Sequence, residues 1–204
     1  MSYKAIVIGA SAGGFFALKK LIPMLPEDFS FPVFIVQHIS PTSDNYMAKF
    51  LDNLANLTVK EADEKEIITA GYVYIAPPNY HLLIEEDFSI SLSTDEKKNY
   101  SRPSIDILFE TATYAYGEDL IGIVLTGANS DGANGLLSIK KAGGFCIVQD
   151  PSEAEAEAMP LAAIKSSDPH KILKIEEIGK LLIELDNKVK KENKPIDGEK
   201  DESF

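Results

Sequence analysis

The chain has 204 residues, of which 45% are hydrophobic, and its formal net charge is −12 at pH 7. This length favours one well-cored domain over two. An acidic chain lacks the basic face that nucleic-acid binding requires, so we expect no nucleic-acid partner. The single cysteine, Cys146, rules out an intrachain disulfide framework and fits a reducing compartment. The sequence contains no secretory signal and no apolar run of membrane-spanning length, so we expect a cytoplasmic protein without membrane insertion.

Residues 6–14 predict a buried strand that ends in a glycine-rich turn. Residues 5–8 are all apolar, as in a strand covered on both faces, and the pattern from Phe15 onward is helical. We therefore expect Ser11 at the carboxyl end of a strand and at the amino end of a helix. Open α/β sheets bind their ligands at such places.

Three interpretations of this turn carry comparable weight when it is considered alone. Its backbone N–H groups could hold a phosphate, as in a dinucleotide fold. Ser11 could instead be a nucleophile, because residues 9–13 fit the G-x-S-x-G pattern of a nucleophile elbow. In the third interpretation, Ser11 only caps the helix. The end of the next predicted strand carries Gln37 and His38 rather than the acidic residue of a dinucleotide site, which counts against nucleotide binding.

The remainder of the chain alternates strands and helices, which predicts a doubly wound, mainly parallel α/β sheet flanked by helices. A β-hairpin insertion is expected around residues 85–87, and we expect one domain over residues 1–187 followed by a charged, disordered tail over 188–204. Further strands are predicted at 32–36, 57–62, 71–76, 120–125, 145–148 and 172–173. Helices are predicted at 15–22, 46–54, 105–112, 133–142, 156–165 and 175–189.

Three side chains of complementary chemistry follow strands of this predicted sheet, namely Ser11, His38 and Asp131. A serine hydroxyl needs a base, an imidazole serves as one, and a carboxylate orients the imidazole. The backbone N–H groups of Ala12 and Ala128 are candidate donors to an oxyanion. The order Ser, His, Asp along the chain differs from that of the α/β hydrolases. From the residues alone, the alternative that Ser11 and Asp131 only cap the helices that follow them, with Asp131 at the helix that starts at Ala133, stays open.

The other histidines and the cysteine do not suggest a second site. His81 is expected on a loop near the same edge of the sheet, and His170 at the surface. Cys146 lies in an apolar run and is expected to be a buried small hydrophobe. The sequence has no H-E-x-x-H motif and no cysteine pair, so we expect no zinc site.

Five short motifs occur in one order along the chain, at residues 9–14, 36–38, 74–77, 102–106 and 125–132. In this order they resemble the CheB-type protein-glutamate methylesterases of bacterial chemotaxis. The later Gly143-Gly144 and Met159-Pro160 pairs fit the same pattern, so the resemblance extends over about residues 3–185.

The resemblance implies that Ser11 is a nucleophile, His38 its base and Asp131 the acid that orients the base. It also implies hydrolysis of γ-glutamyl methyl esters on chemoreceptor helices to glutamate and methanol, and deamidation of certain receptor glutamines. No metal or organic cofactor is implied. The expected partner is a methylated chemoreceptor or another glutamyl-methylated protein, and a monomer is favoured.

Several features depart from the family pattern. Ala12 stands where threonine is frequent, and Ala128 stands where methionine is usual. The alternating Glu-Ala run of residues 153–158 replaces a more apolar stretch and places carboxylates where a substrate approaches. Most members carry an N-terminal receiver domain, which we do not expect here because Met1 leads straight into the first strand. The alternative function is therefore a catalytically weak or inactive module that binds a receptor or a methyltransferase.

Overall fold

Strands and helices alternate along residues 3–192, which are the residues that the computed structural model describes. The strands are β1 (Ala5–Ala10), β2 (Val33–Gln37), β3 (Thr58–Glu61), β4 (Tyr72–Ile75), β5 (His81–Ile84), β6 (Ile90–Ser93), β7 (Leu120–Val124), β8 (Phe145–Gln149) and β9 (Lys171–Leu173). The helices are α1 (Gly14–Leu21), α2 (Tyr46–Asp52), α3 (Ile105–Tyr116), α4 (Ala133–Lys141), α5 (Ala158–Ser167) and α6 (Ile175–Glu192). None of the helices in this part of the chain is both long and apolar enough to cross a membrane.

Seven of the strands form one sheet in the order β3-β4-β2-β1-β7-β8-β9, and every pairing in it is parallel. The three central strands, β2, β1 and β7, are buried along their whole length, as expected for a parallel sheet covered on both faces. β5 and β6 pair separately as an antiparallel hairpin. The predicted doubly wound α/β sheet with a β-hairpin is therefore confirmed.

The two faces of the sheet carry separate cores because successive side chains of a strand point to opposite faces. In β1, Ile6 and Ile8 face a core shared with α1, α2 and α6. Val7 faces the opposite core, which α3, α4, α5 and the hairpin complete. Strand order reverses about β1, whose neighbours are β2 on one side and β7 on the other. Such a reversal opens a crevice at the carboxyl ends of the strands.

The last helix is longer than the sequence predicted. We expected a tail from residue 188, but α6 continues to Glu192. Asp186 is buried in this helix, and its carboxylate lies 2.7 Å from the Nζ atom of Lys190. Val189 is buried as well, so the helix remains anchored beyond residue 187. The rest of the predicted tail, residues 193–204, lies outside the described residues.

Candidate active site

Ser11 lies in the turn between β1 and α1, directly after the last residue of the strand. Gly13 has a φ of 76°, in the left-handed region that favours glycine. The Ser11 N–H donates to the carbonyl of Thr126 (3.0 Å), which follows β7, and the Gln37 side-chain amide donates to the Ser11 carbonyl (2.8 Å). The two neighbouring strands therefore fix the backbone on which the hydroxyl stands.

The hydroxyl of Ser11 faces the imidazole of His38. Ser11 Oγ lies 3.2 Å from His38 Nδ1, and His38 Nε2 lies 2.8 Å from Asp131 Oδ2. The three side chains thus form one hydrogen-bonded line across the carboxyl ends of β1, β2 and β7. The imidazole is 12% exposed, whereas the Asp131 carboxylate has no exposed surface. Solvent or a substrate can therefore reach the serine end of the line but not its acid end.

Neither Ser11 nor Asp131 caps the helix that follows it. The N-cap residues of α1 and α4 are Gly13 and Gly132, and no side chain caps either helix from those positions. The capping alternative is therefore wrong for both residues as it was stated. Asp131 does accept hydrogen bonds at a helix start, but at the start of α3 rather than α4.

The carboxylate of Asp131 is surrounded by hydrogen-bond donors. Burial alone would raise its pKa, but the hydrogen bonds from His38, Asn99 and the backbone outweigh this effect and hold the pKa below its usual value. Asp131 is therefore the anion at the end of the line. Its five donors are His38 Nε2 (2.8 Å), Ile105 N (2.7 Å), Ser104 Oγ (2.9 Å), Asn99 Nδ2 (3.0 Å) and Asp106 N (3.1 Å).

A second buried carboxylate, Asp106, lies beside the first. Its Oδ1 atom accepts the backbone N–H groups of Gly132 (2.9 Å) and Gly135 (2.8 Å), at the start of α4. Burial raises the pKa of Asp106, and the negative charge of Asp131 adds to the effect. Asn99 Nδ2 lies 2.9 Å from Asp106 Oδ2 and 3.0 Å from Asp131 Oδ1, so one amide bridges both carboxylates.

Helices α3 and α4 therefore cap each other. Asp131, just before α4, accepts the first backbone N–H groups of α3, and Asp106, in the first turn of α3, accepts those of α4. Sequence reasoning missed Asp106 and Asn99 as parts of the site. Asp106 lies in the motif at residues 102–106, one of those that carry the family resemblance, and this motif was the signal that could have identified it. Nothing in the sequence singled out Asn99.

A further amide, that of Asn129, reaches the same imidazole. Asn129 Nδ2 lies 3.3 Å from His38 Nδ1, and Asn129 Oδ1 accepts the backbone N–H of Asp131 (3.1 Å). The Nδ1 atom of His38 thus has two neighbours, the serine hydroxyl and this amide.

The candidate oxyanion donors differ in availability. Within residues 3–192, the backbone N–H groups of Ala12 and Ala128 donate to no acceptor. The N–H of Gly127, in the same turn as Ala128, is already bonded to the carbonyl of Ala156 (3.0 Å). Ala12 and Ala128 are both exposed. Their amides are therefore free to bind a group that approaches Ser11.

The Glu-Ala segment lies against both glycine-rich turns. The Ala156 N–H donates to Thr126 Oγ1 (2.9 Å), which anchors the segment. Glu155 Cβ lies 2.6 Å from the position that a Cβ on Gly13 would occupy, so this glutamate lies over the turn that carries Ser11. A cavity of about 180 Å³ is lined by Glu155 of this segment and by Gly13 and Thr126 of the two turns. A second cavity, of about 110 Å³, adjoins His38.

The other singled-out residues lie away from this line. His81 was expected on a loop, but it is the first residue of β5 and is fully buried. Both of its ring nitrogens are hydrogen-bonded there, since Nδ1 accepts the Ser104 N–H (3.1 Å) and Nε2 donates to the Glu96 carbonyl (3.1 Å). Burial lowers the pKa of His81. His170 is exposed, and Cys146 is buried with its pKa raised to about 12 by burial. Residues 3–192 contain no group of three His, Cys, Asp or Glu side chains that could hold a metal ion.

Comparison with known proteins places this chain in a family. The family model described as CheB methylesterase matches residues 6–182. A putative protein-glutamate methylesterase/protein-glutamine glutaminase from Leptospira interrogans is 54% identical over 186 residues, which cover 91% of this chain and 96% of that protein. A protein-glutamate methylesterase/protein-glutamine glutaminase from Symbiobacterium thermophilum is 34% identical over 175 residues. This match covers 86% of the present chain but 48% of the length of that protein.

The fold comparison agrees with the sequence comparison. The crystal structure of the Thermotoga maritima CheB methylesterase catalytic domain matches with a TM-score of 0.86 and 35% sequence identity. The match covers 91% of this chain and 100% of that one. The chain described here therefore belongs to the CheB methylesterase family.

Proposed function

We propose that this chain is a protein-glutamate methylesterase that hydrolyses γ-methyl esters of glutamate side chains to glutamate and methanol. Deamidation of glutamine by the same route is the second reaction of the proposal. The observation that carries it is the unbroken line of Ser11 Oγ, His38 Nδ1, His38 Nε2 and Asp131 Oδ2 in a chain of this family. The activity for which the relatives are named supports the choice of substrate.

In the proposed mechanism, Ser11 Oγ attacks the ester carbonyl while His38 Nδ1 accepts the hydroxyl proton. The tetrahedral intermediate expels methoxide, which receives that proton and leaves as methanol, so that a glutamyl ester of Ser11 remains. Water then attacks this ester with His38 again as the base, and glutamate and free Ser11 are released. With a glutamine substrate, ammonia leaves instead of methanol.

The other groups of the site stabilise charge in this scheme. Asp131 is held as an anion and stabilises the imidazolium that forms at His38. The unpartnered N–H groups of Ala12 and Ala128 are suited to bind the oxyanion. Because residue 12 is alanine, its contribution is limited to the backbone. The proposal requires neither a metal nor an organic cofactor.

The substrate protein is proposed from the family and from charge. A methylated chemoreceptor is the first choice, and another glutamyl-methylated protein is the second. Glu155 lies over the Ser11 turn, and its carboxylate repels acidic residues that flank a methylated glutamate.

Residues 1–187 are proposed as the catalytic domain, since the family match ends at residue 182. The lone cysteine supports the cytoplasm as the location.

Substitution of the nucleophile tests the proposal. Ser11→Ala should abolish methanol release from a methylated receptor and leave the circular dichroism spectrum unchanged, because within residues 3–192 the Ser11 hydroxyl is hydrogen-bonded to His38 alone. Ser138→Ala is the matched control, since in the described part of the chain that hydroxyl bonds only to the Asn134 carbonyl on α4. Retained activity in Ser11→Ala would overturn the mechanism.

The alternative of a non-catalytic binding module is motivated by alanine at positions 12 and 128. A fluorophosphonate probe distinguishes the two functions, because it labels only an activated serine. Labelling of the wild-type chain that disappears in Ser11→Ala supports the esterase. An unlabelled wild-type chain that still binds receptor supports the module.

A further inference from the structure

The orientation of the Asn129 amide is fixed by its neighbour in the chain. A backbone N–H can only donate, so the atom that accepts the Asp131 N–H at 3.1 Å is the amide oxygen. The amide nitrogen must then be the atom that lies 3.3 Å from His38 Nδ1. An amide nitrogen can only donate, so this contact is a hydrogen bond only when Nδ1 carries no proton.

We propose that Asn129 is a positioning residue that, together with Asp131, keeps the proton of neutral His38 on Nε2. This inference rests on the proposed function and assigns it a residue outside the Ser-His-Asp set. With Nδ1 free of its proton, Nε2–H donates to Asp131 Oδ2 at 2.8 Å, and Nδ1 can accept the proton of Ser11 Oγ at 3.2 Å. The opposite tautomer would turn an N–H toward the Asn129 amide and toward the nucleophile.

Two groups bonded to the imidazole favour the same tautomer from opposite sides of the ring. Asp131 is the charged group bonded to the ring, and Lys97 and Arg102 line the cavity on its open side. The Gln37 side chain bonds to the backbone carbonyl of His38 rather than to its ring. Among residues 3–192, Ser11 and Asn129 are the hydrogen-bond partners of Nδ1, and a hydroxyl can accept as well as donate. The Asp131 carboxylate, which can only accept, favours a proton on Nε2, and on the Nδ1 side only the amide nitrogen discriminates between the two tautomers.

A purely structural role for Asn129 makes a different prediction. The bond from the Asp131 N–H to Asn129 Oδ1 closes an Asx turn, which needs only the oxygen. Asn129→Asp keeps that oxygen but places a carboxylate against Nδ1, which favours a proton on both ring nitrogens. Asn129→Ala removes the oxygen and the donor together. A structural role thus predicts that the aspartate variant is nearly normal, whereas our proposal predicts that it is the worse of the two.

The experiment measures the rate of Ser11 labelling by a fluorophosphonate, together with kcat and KM for methanol release, as functions of pH. We expect a loss of about tenfold in labelling and kcat for Asn129→Ala, with little change in KM. For Asn129→Asp we expect a loss on the order of 100-fold at neutral pH. The acid limb of its profile should move to higher pH, because a second carboxylate stabilises the protonated imidazole.

Asn134→Asp is the matched control, because it adds the same charge at an exposed position of α4. Its labelling rate and pH profile should equal those of the wild-type chain. Imidazole ¹⁵N shifts should show Nδ1 as the unprotonated nitrogen in the wild-type chain and both nitrogens protonated in Asn129→Asp at neutral pH. If Asn129→Asp were labelled at the wild-type rate and its imidazole ¹⁵N shifts equalled those of the wild-type chain, the proposal would be overturned. Because labelling needs no glutamyl substrate, a chain that labels but releases no methanol refutes the proposed substrate and leaves the Asn129 comparison intact.

Discussion

The two glycine-rich turns of this chain have the same local design and opposite burial. Each follows a central parallel strand and leads into a helix through a left-handed glycine, Gly13 with φ 76° and Gly132 with φ 93°. The first turn presents Ser11 to the imidazole at a partly open edge, whereas the second buries Asp131 completely. The difference arises from the elements that cover the turns. Helix α3 begins against Asp131 and donates to its carboxylate, whereas within residues 3–192 the Ser11 hydroxyl receives no backbone N–H.

Chemistry and stability are therefore divided unequally between the two turns. Among the described residues, the hydrogen-bond partner of the Ser11 hydroxyl is His38 alone, so this hydroxyl takes part in no bond there that holds the fold together. The Asp131 carboxylate accepts five hydrogen bonds, four of which come from the loop and helix around residues 99–106. Substitutions in the two turns should therefore affect activity alike and stability differently.

The largest expected effect comes from Asp131→Asn. The substitution removes the anionic partner of His38, so methanol release should fall on the order of 10⁴-fold. It also places an NH2 group against the N–H and O–H donors that surround the side chain of residue 131. Urea unfolding should also show a loss of about 3 kcal/mol, because buried donors are left without acceptors. Ser11→Ala is the comparison: its activity should vanish while its unfolding free energy stays within about 0.5 kcal/mol of wild type. Equal stability of the two variants would contradict the division of roles.

A smaller effect is expected when the reciprocal cap is broken from its other side. Asp106→Ala removes the acceptor for the Gly132 and Gly135 N–H groups at the start of α4. We expect a loss of about 2 kcal/mol in the free energy of unfolding, measured in urea. Asp95→Ala serves as the control, because Asp95 is exposed and its carboxylate is bonded to nothing in the described part of the chain. A variant as stable as this control would show that α4 does not depend on the cap.

The smallest expected effect is the dependence of stability on pH. The pKa of Asp131 is lowered in the folded chain, so its stabilising contribution is present above the ordinary carboxyl value and is lost as pH falls through the folded value. The pKa of Asp106 is raised, so it acts in the opposite direction and costs stability as pH rises from the ordinary value through the folded one. The stability difference between wild type and Asp131→Asn should therefore shrink on acidification. A difference independent of pH would contradict this assignment.

Much of the fold was predictable because the strands of a parallel sheet are continuous apolar runs. Residues 5–8 and 120–125 were both recognised in this way, and the family resemblance supported the same architecture. The end of α6 was not predictable, since it depends on the buried Asp186 and its contact with Lys190. An ion pair on a charged stretch looks the same in the sequence whether it is buried or solvated.

The site was predictable only as far as side-chain chemistry reveals it. Ser11, His38 and Asp131 were identified because their residue types suit one reaction and each follows a strand. Their catalytic roles stay a prediction. Asn129 and Asn99 were missed because their function lies in the direction of an amide, which only the three-dimensional arrangement defines. Asp106 was missed as a site residue because its partners are backbone N–H groups, which leave no mark in the sequence.

The mutual capping of α3 and α4 has a consequence for how this family can lose its activity. A descendant that no longer needs an esterase can replace Ser11 or His38 at little structural cost, whereas Asp131 is required for the junction of two helices. Selection for a folded protein alone should thus preserve the aspartate long after catalysis has gone. An aspartate at this position is consequently weak evidence that a relative is an enzyme. Serine and histidine at the ends of β1 and β2 are the residues to inspect when active members are to be separated from inactive ones.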